Sequence, residues 1–567
     1  MPYCVVLVCI FALRLWIWKL FPGLDSAIKD DLSNMIIASL IFGLAIFFFI
    51  DKAIRREGLF KSALEGPIAL LLAAATMSLA WSADTGSGVR ALIMLLAQIV
   101  FFYLLYQTLV HDHQRRIFLW VFFIGSVVVA GFGINDIIIL SQVSPETLES
   151  ARLTNKSLYY ILTHKRACSL FGWPNVLAGF LMLSMPLTAA LFLSVRTWWL
   201  RGVVACGGLM MLAAFFLTFS FLGWAGFLVT SVVCLGWFIY RRIVVVPAAV
   251  IKYLVVGAVV ALILFSGVIL RKNFGESMTP RKEYARVVRL VIAEHPFLGT
   301  GFGAYRFASM KFVTNNEGET AFPHNTYAQI WAETGLIGLA AILWLLGASF
   351  LLAQRILRRT GDGPDKKIFL AVLIGLFAFL VDNINSFTML KPNAAFFFWV
   401  WLALFCSYGF NRGDVLPSLA RFSRRVMMIF AVVALVGFFL SMRIAMSLLT
   451  LRNGHEAAKA GVFDLAERAY QRAHELDPLD PQVLTAQGNL YLRAFRSTSQ
   501  SVWLDAAQAS FLQSVDRAPN YHYNYLALAS IYNSRGDHLK ANSMTARART
   551  VSPYETERDL GALSRPK

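Results

Sequence analysis

The sequence predicts an all-α polytopic membrane protein, of about 12–13 transmembrane helices, followed by a water-soluble helical domain. Three observations carry this. Of 567 residues, 57% are hydrophobic and only 15% charged, with a mean hydropathy of +0.60; a soluble chain carries about 25% charged residues. Apolar runs of roughly 20 residues, each long enough to span a bilayer, recur down to about residue 445. Beyond that point the chain turns polar and keeps a helical period punctuated by proline.

Thirteen candidate spans cover about 3–20, 35–50, 66–81, 89–110, 117–140, 174–195, 198–218, 221–240, 243–270, 326–353, 368–387, 394–410 and 426–445. The first contains Arg14, a costly residue in a bilayer. Trp16, Trp18 and Lys19 follow it as an interfacial anchor, and no charged n-region or small-residue cleavage site is present, so the stretch reads as a retained helix rather than a signal peptide.

The loops give the orientation. Cations crowd the even-numbered loops: Lys52, Arg55, Arg56 and Lys61 after the second span, Arg115 and Arg116 after the fourth, Arg241 and Arg242 after the eighth. Arg355, Arg358, Arg359, Lys366 and Lys367 follow the tenth, and Arg412, Arg421, Arg424 and Arg425 the twelfth. The positive-inside rule makes these loops and the N-terminus cytoplasmic. Both long loops, 141–173 and 271–325, then face outward, as does everything after residue 446. The net charge of +19 is largely this topology signal. No soluble segment shows a basic face with stacking aromatics, so no nucleic acid is expected. The six cysteines form no C-x-x-C or Cys/His spacing, which argues against a disulfide framework or a zinc site.

The chain divides into a membrane domain, 1–446, a helical repeat domain, 454–553, and a tail, 554–567. In the repeat domain Pro478, Pro519 and Pro553 close successive helical units, and the last two are 34 residues apart, the tetratricopeptide period. Small residues such as Ala466, Ala469, Ala473, Ala506 and Ala509 sit where paired helices approach closely. Such an array presents a concave surface for a protein partner; a generic helical bundle is the alternative.

Chemistry is expected in the outer loop 271–325 and at its return to the membrane. Pro280 opens a helical stretch there that Pro296 closes. On it Lys282, Arg286 and Arg289 share one face, with Arg281 about a quarter-turn away. A cationic face at a membrane surface suits a phosphate-bearing ligand, because arginine binds phosphate oxygens bidentately; a solvated or headgroup-facing surface has the same spacing. The run Gly299-Thr300-Gly301-Phe302-Gly303 lacks the strand and the G-K-[ST] of a nucleotide loop and reads as a tight, mobile turn.

His324, after Pro323 and before a helix starting near Asn325, is a candidate general base, since a free pKa near 6.5 suits accepting a hydroxyl proton. Spacing alone equally allows a histidine that caps the helix. In the other long loop Arg166 precedes Pro174-Asn175 at the start of a helix, where Asn175 is also a candidate cap. Asp382, with Asn383 and Asn385, lies at the outer end of an apolar helix and is a functional candidate on that ground. Glu317 and Glu319 form no recognised metal spacing, which favours a metal-independent reaction without cofactor.

These pieces, R-A-C-S-L-F-G-W-P-N-V-L-A-G from Arg166, R-K-E-Y and H-P-F-L-G-T-G-F-G in the loop, and H-N-T-Y-A-Q-I-W-A-E-T-G-L-I-G from His324, resemble the bacterial O-antigen ligase and polymerase superfamily over about residues 60–410. The resemblance implies a membrane glycosyltransferase of GT-C type in the bacterial inner membrane. Such an enzyme moves a glycan from undecaprenyl pyrophosphate to an acceptor hydroxyl on the outer face, the acceptor being lipid A core or another glycan. On this chain the resemblance puts donor phosphate on Arg281, with Arg166 as a further contact, and acceptor activation on His324. Arg286, Arg289, Asn175, Asn325 and Asp382 complete the candidate substrate-binding set. In one place the chain departs from the family: L-T-F-S-F-L-G-W puts Phe221 where members carry arginine, so either another cation compensates or donor binding differs. A ligase is the preferred reading. A repeat-unit polymerase, a protein O-glycosyl ligase, and a non-catalytic transporter or assembly scaffold are the alternatives.

Overall fold

The computed structural model describes residues 2–17, 26–154, 156–240, 272–315, 322–361, 363–410, 421–422 and 424–563. The candidate span 243–270, and with it Trp18, Lys19, Arg241, Arg242, Glu317, Glu319 and Arg412, lies outside the described residues. The first helices are α1 (Pro2–Trp16), α2 (Ser26–Ile54), α3 (Glu65–Ser78), α4 (Thr85–Thr108) and α5 (Asp112–Ser141). Two short helices, α6 (Pro145–Thr154) and α7 (Lys156–His164), fill the first long loop. Then come α8 (Pro174–Ser194), α9 (Trp198–Leu217), α10 (Phe221–Tyr240), α11 (Lys272–Glu294), α12 (Tyr305–Ser309), α13 (Thr326–Arg359), α14 (Pro364–Asp382) and α15 (Pro392–Ser407). The chain ends with α16 (Arg424–Lys459), α17 (Phe463–Leu476), α18 (Pro481–Thr498), α19 (Ser501–Arg517), α20 (His522–Ser534), α21 (His538–Val551) and α22 (Pro553–Leu563). Among the described residues the only strand pairing is Leu59–Phe60 against Arg421–Phe422, so the architecture is all-α.

Seven of the described helices are long and apolar enough to cross a membrane: those beginning near residues 28, 85, 112, 174, 198, 326 and 424. Shorter apolar helices run over Val5–Trp16, Glu65–Trp81, Phe221–Val232 and Pro392–Ser407. The centre is α15, in which every residue from Ala394 to Ser407 is buried; a helix apolar on all sides belongs inside a bundle. It packs among α4, α8 and α14, while α2 lies along α16 and α8 along α14. Arg14 is accommodated by partners: its guanidinium donates to the side-chain carbonyls of Asn34 and Asn393.

The two ends of the bundle differ. At one, Arg115 donates to the carbonyl oxygens of Leu109 and Ser407, joining the α4–α5 turn to the end of α15. At the other lie the His324 loop, the N-termini of α2 and α4, and the C-terminal domain. No break separates that domain from the last span: α16 is continuous from Arg424 to Lys459 and so crosses the expected 446/454 boundary. Its end packs on α17, followed by the hairpins α18–α19 and α20–α21 and the closing helix α22. Arg90 of α4 holds this domain down. It lies 3.3 Å from Asp31 of α2, 3.4 Å from Asp477 and 3.3 Å from Asp480, with Arg90, Asp477 and Asp480 all buried.

Candidate functional site

The frame of the site is a kink. Gly335 adopts φ 67° and ψ −167° inside α13, and a Cβ there would meet the Phe297 carbonyl oxygen at 2.0 Å. Only glycine fits. The loop 296–305 wraps this kink. Leu336 donates its amide to the Pro296 carbonyl (3.1 Å), Thr300 to Ala332 (2.9 Å) and Gly301 to Glu333 (3.0 Å). The Glu333 carboxylate accepts from the amides of Gly303 (2.9 Å) and Tyr305 (3.3 Å) and from the Gln329 side chain (2.8 Å). The α3–α4 turn closes the other side, with Ala83 donating to the Thr300 carbonyl and Trp81 to that of Gly299. The expected mobile turn is therefore a pinned one: tight, with its backbone groups satisfied from both sides.

On α11 the expected start at Pro280 is corrected, because the helix begins at Lys272 and runs through the proline. Four residues of this helix separate onto two faces. Arg281 and Tyr284, three apart, share one. Arg281 donates to the Asn385 carbonyl (2.8 Å), and Tyr284 stacks on His324, ring centroids 5.1 Å apart and planes 10° apart. Arg286 lies about 140° further round. It pairs with Glu283 at 2.5 Å and donates to the Phe312 carbonyl at 2.7 Å. Arg289 donates to the Ala285 carbonyl of its own helix and is exposed. Arg286 and Arg289 are thus not brought to His324 with Arg281; Arg286 serves the loop 312–314.

His324 stands at φ 54°, a left-handed conformation rare outside glycine. Its imidazole is held between the Tyr284 face and the Phe387 ring (4.6 Å, 85°), and Nδ1 is buried with no hydrogen-bond partner among the described residues. The helix cap belongs to the next residue: Asn325 accepts the Ala328 amide at 2.9 Å. This removes the capping role left open for His324 and gives Asn325 a structural one. Burial, then the charges of Arg281 and Arg166, push the His324 pKa down to about 3.

Arg166 approaches from the other long loop. It donates to the Thr218 carbonyl (2.8 Å), to the Asn175 side-chain oxygen (3.1 Å) and to the Phe219 carbonyl (3.3 Å). Phe221 packs edge-on against Trp224 at 5.1 Å, so where the family arginine would stand there is an aromatic pair, with the Arg166 guanidinium at the turn just before it. Asp382 is buried. It accepts from Thr388 (3.3 Å), and methyl groups added to Gly179 of α8 or Gly223 of α10 would come within 3.3 and 3.4 Å of its oxygens. Asn383 accepts the Thr326 hydroxyl at 2.8 Å, tying the start of α13 to the end of α14. The V-D-N-I-N turn thus supports both His324, through Thr326, and Arg281, through the Asn385 carbonyl.

Four nearby residues were not singled out as site residues in the sequence: Tyr284, Phe387, Trp173 and Lys391. The Lys391 ammonium lies 4.7 Å from the Phe322 ring centre and 5.4 Å from that of Trp173, while Phe322 stacks on Phe387 at 4.9 Å. Burial pushes the Lys391 pKa down, against the pull of Asp30 and Asp31. Tyr284 had a signal, its i+3 spacing from Arg281; the aromatic rings around His324 come from three separate segments and had none.

Residues 206–343 match the family model described as O-Antigen ligase. This stretch is an O-antigen ligase domain. The matched stretch holds Arg281, the glycine loop, His324 and Glu333, whereas Arg166, Asn175 and Asp382 are brought to the O-antigen ligase segment by folding. Membership implies a glycosyltransferase-like activity of the ligase and polymerase type, with a lipid-linked glycan donor and an acceptor at a membrane. No curated protein matches the chain.

Proposed function

We propose that the protein transfers a glycan from undecaprenyl pyrophosphate to an acceptor hydroxyl at the outer face of the bacterial inner membrane, as an O-antigen ligase-like enzyme independent of metal. The observation that carries this reading is an aromatic-clamped imidazole, with no hydrogen-bond partner for Nδ1 among the described residues, set between two arginine-bearing segments. A sugar hydroxyl is a weak nucleophile until its proton is accepted, and a positioned base contributes roughly 10²–10⁴-fold. In the proposed step the acceptor O–H gives its proton to His324 and its oxygen bonds to the anomeric carbon. The bond from that carbon to the pyrophosphate oxygen breaks, and undecaprenyl pyrophosphate departs with the electron pair. Arg281 and Arg166 offset the charge of this leaving group by fork-shaped hydrogen bonds. Arg166, at the Thr218–Phe219 turn, is the cation that compensates for Phe221. The C-terminal hairpins are proposed as tetratricopeptide repeats.

The test is transfer by purified protein in lipid, with a defined undecaprenyl-pyrophosphate-linked donor and no added metal. His324→Ala and Arg281→Ala should insert normally and nearly abolish transfer. Arg281→Lys should also impair it, because an ammonium lacks the fork geometry, while Lys282→Ala, on the other face, should be far milder. Near-normal turnover of His324→Ala would remove it as the base. Glycan profiling of a deletion strain separates the products: accumulated full-length lipid-linked glycan indicates a ligase, and loss of long chains with a retained single repeat indicates a polymerase.

A further inference from the structure

A cavity of about 420 Å³ opens between the end of α16, α17 and the first face of α18. Its charge is one-sided. Arg452, His455 and Lys459 line it from α16 at helical spacing, and Arg493 from α18, against the single carboxylate of Glu456. Glu456 is already 3.7 Å from Lys459. Neither Arg452 nor Arg493 has a hydrogen bond or a carboxylate partner among the described residues, although Arg452 is partly buried. The remaining lining is of the kind that meets sugar hydroxyls: the Asn489 and Gln482 amides and the Tyr470 ring. Tyr470 is held in place by a 2.9 Å bond between its hydroxyl and His455 Nδ1.

The cavity lies on the same side of the bundle as His324, and a continuous set of contacts joins them. Ile28 of α2 forms part of its wall. Two residues on, Asp30 is 3.9 Å from Lys391, whose ammonium lies against the Phe322 ring; Phe322 stacks on Phe387, which meets His324 at a right angle.

We propose that this cleft is a binding site for an anionic saccharide segment, one carrying carboxylate or phosphate groups, that belongs to the glycan handled at His324. Arg452 is partly buried and Arg493 exposed; a guanidinium binds carboxylate or phosphate oxygens bidentately, and the partly buried one is less screened by water. The assignment of the glycan to this enzyme's own reaction rests on the function proposed above; the anion site itself does not.

The experiment uses the full-length protein in nanodiscs of neutral lipid, with tetragalacturonate as the carboxylated probe and maltotetraose as the neutral one. Tetragalacturonate should bind, and maltotetraose should bind at least tenfold more weakly. Arg452→Ala/Arg493→Ala should lose at least tenfold in tetragalacturonate affinity, and Arg452→Lys/Arg493→Lys should recover most of it, which separates charge from misfolding. His324→Ala should bind the probe as well as the unsubstituted protein, so a failure of the catalytic reading leaves this result standing. Equal affinity for the two probes, or no loss in the double alanine variant, overturns the proposal. Phosphatidylglycerol nanodiscs distinguish a lipid source: displacement of the probe by the anionic lipid, lost in the double alanine variant, would assign the cleft to headgroups and overturn the saccharide assignment.

Discussion

Tyr284 lies flat against His324, ring planes 10° apart and centroids 5.1 Å apart, and this contact fixes the imidazole more than any hydrogen bond does. Among the described residues His324 has no hydrogen-bonded partner at Nδ1, and its ring packs between Tyr284 and Phe387. Tyr284→Phe keeps the stack and should retain most transfer activity. Tyr284→Ala removes it and should lower kcat by roughly 10–100-fold, the range expected when a reacting group is displaced by about 1 Å. KM for the donor should change less, because Arg281 remains. Steady-state kinetics on both variants checks this; an unaltered kcat in Tyr284→Ala would show that the ring does not position the base.

The kink at Gly335 predicts a stability defect separable from chemistry. Gly335→Ala introduces a methyl 2.0 Å from the Phe297 carbonyl oxygen at a positive φ, a strain of about 1–3 kcal/mol before any clash. Glu333→Ala strands the amides of Gly303 and Tyr305, at about 1–3 kcal/mol for each buried group left unpaired. Both variants should lower the thermal midpoint of the detergent-solubilised protein and its yield. Glu333→Gln keeps one acceptor oxygen and should be intermediate. A stable Glu333→Ala protein without transfer activity would instead assign Glu333 to the chemistry.

Much of the fold was legible because bilayer-length apolar runs leave few choices of structure. The same composition does not mark where the last apolar run ends, because α16 passes from exposed apolar residues such as Val432 and Phe439 to residues packed on α17 without a break. In the site, His324, Arg281 and Arg166 were singled out on motif and resemblance, and folding brings them close. Arg286 was grouped with them on helical spacing alone, and spacing does not reveal the Phe312 carbonyl that faces it from another segment. The glycine run and W-A-E-T-G were read as separate features about thirty residues apart. Their meaning is mutual, since each supplies the backbone groups that the other's bend exposes.

Arg90 predicts how the C-terminal domain is held. The cluster with Asp31, Asp477 and Asp480 places three carboxylates around one guanidinium, and Asp480 is 2% exposed at its side chain. Removing the cation leaves buried like charges facing each other, at about 3–5 kcal/mol for a broken buried pair. Arg90→Ala should therefore loosen the domain from the bundle, seen as faster proteolysis beyond Lys459 with the membrane helices intact. Arg90→Ala/Asp477→Asn/Asp480→Asn should restore part of the resistance by removing the stranded charge. Unchanged proteolysis of Arg90→Ala would place the attachment elsewhere, at the Phe307–Tyr521 contact or the bonds of Arg443 to the Glu475 and Leu476 carbonyls.

The depressed pKa of His324 predicts an unusual pH profile. A base accepts a proton only when neutral. An ordinary imidazole near pKa 6.5 is roughly nine-tenths protonated at pH 5.5, so transfer relying on one would fall about tenfold between pH 7.5 and 5.5. Here burial, Arg281 and Arg166 all disfavour the imidazolium and bring the pKa to about 3. The ring stays neutral across that interval, and its loss by protonation begins only as the pH approaches about 3. The profile of kcat/KM, which reports the free enzyme, should then be flat from pH 7.5 to 5.5 wherever protein and donor remain intact. Arg281→Ala removes one of the two cations, so the acid limb of its residual activity should move to higher pH. Arg281→Lys keeps the charge and should leave the limb in place while lowering the rate. A limb centred near pH 6.5 in the unsubstituted enzyme would mean that the imidazole meets water in the working state, and that the clamp of Tyr284 and Phe387 opens before chemistry.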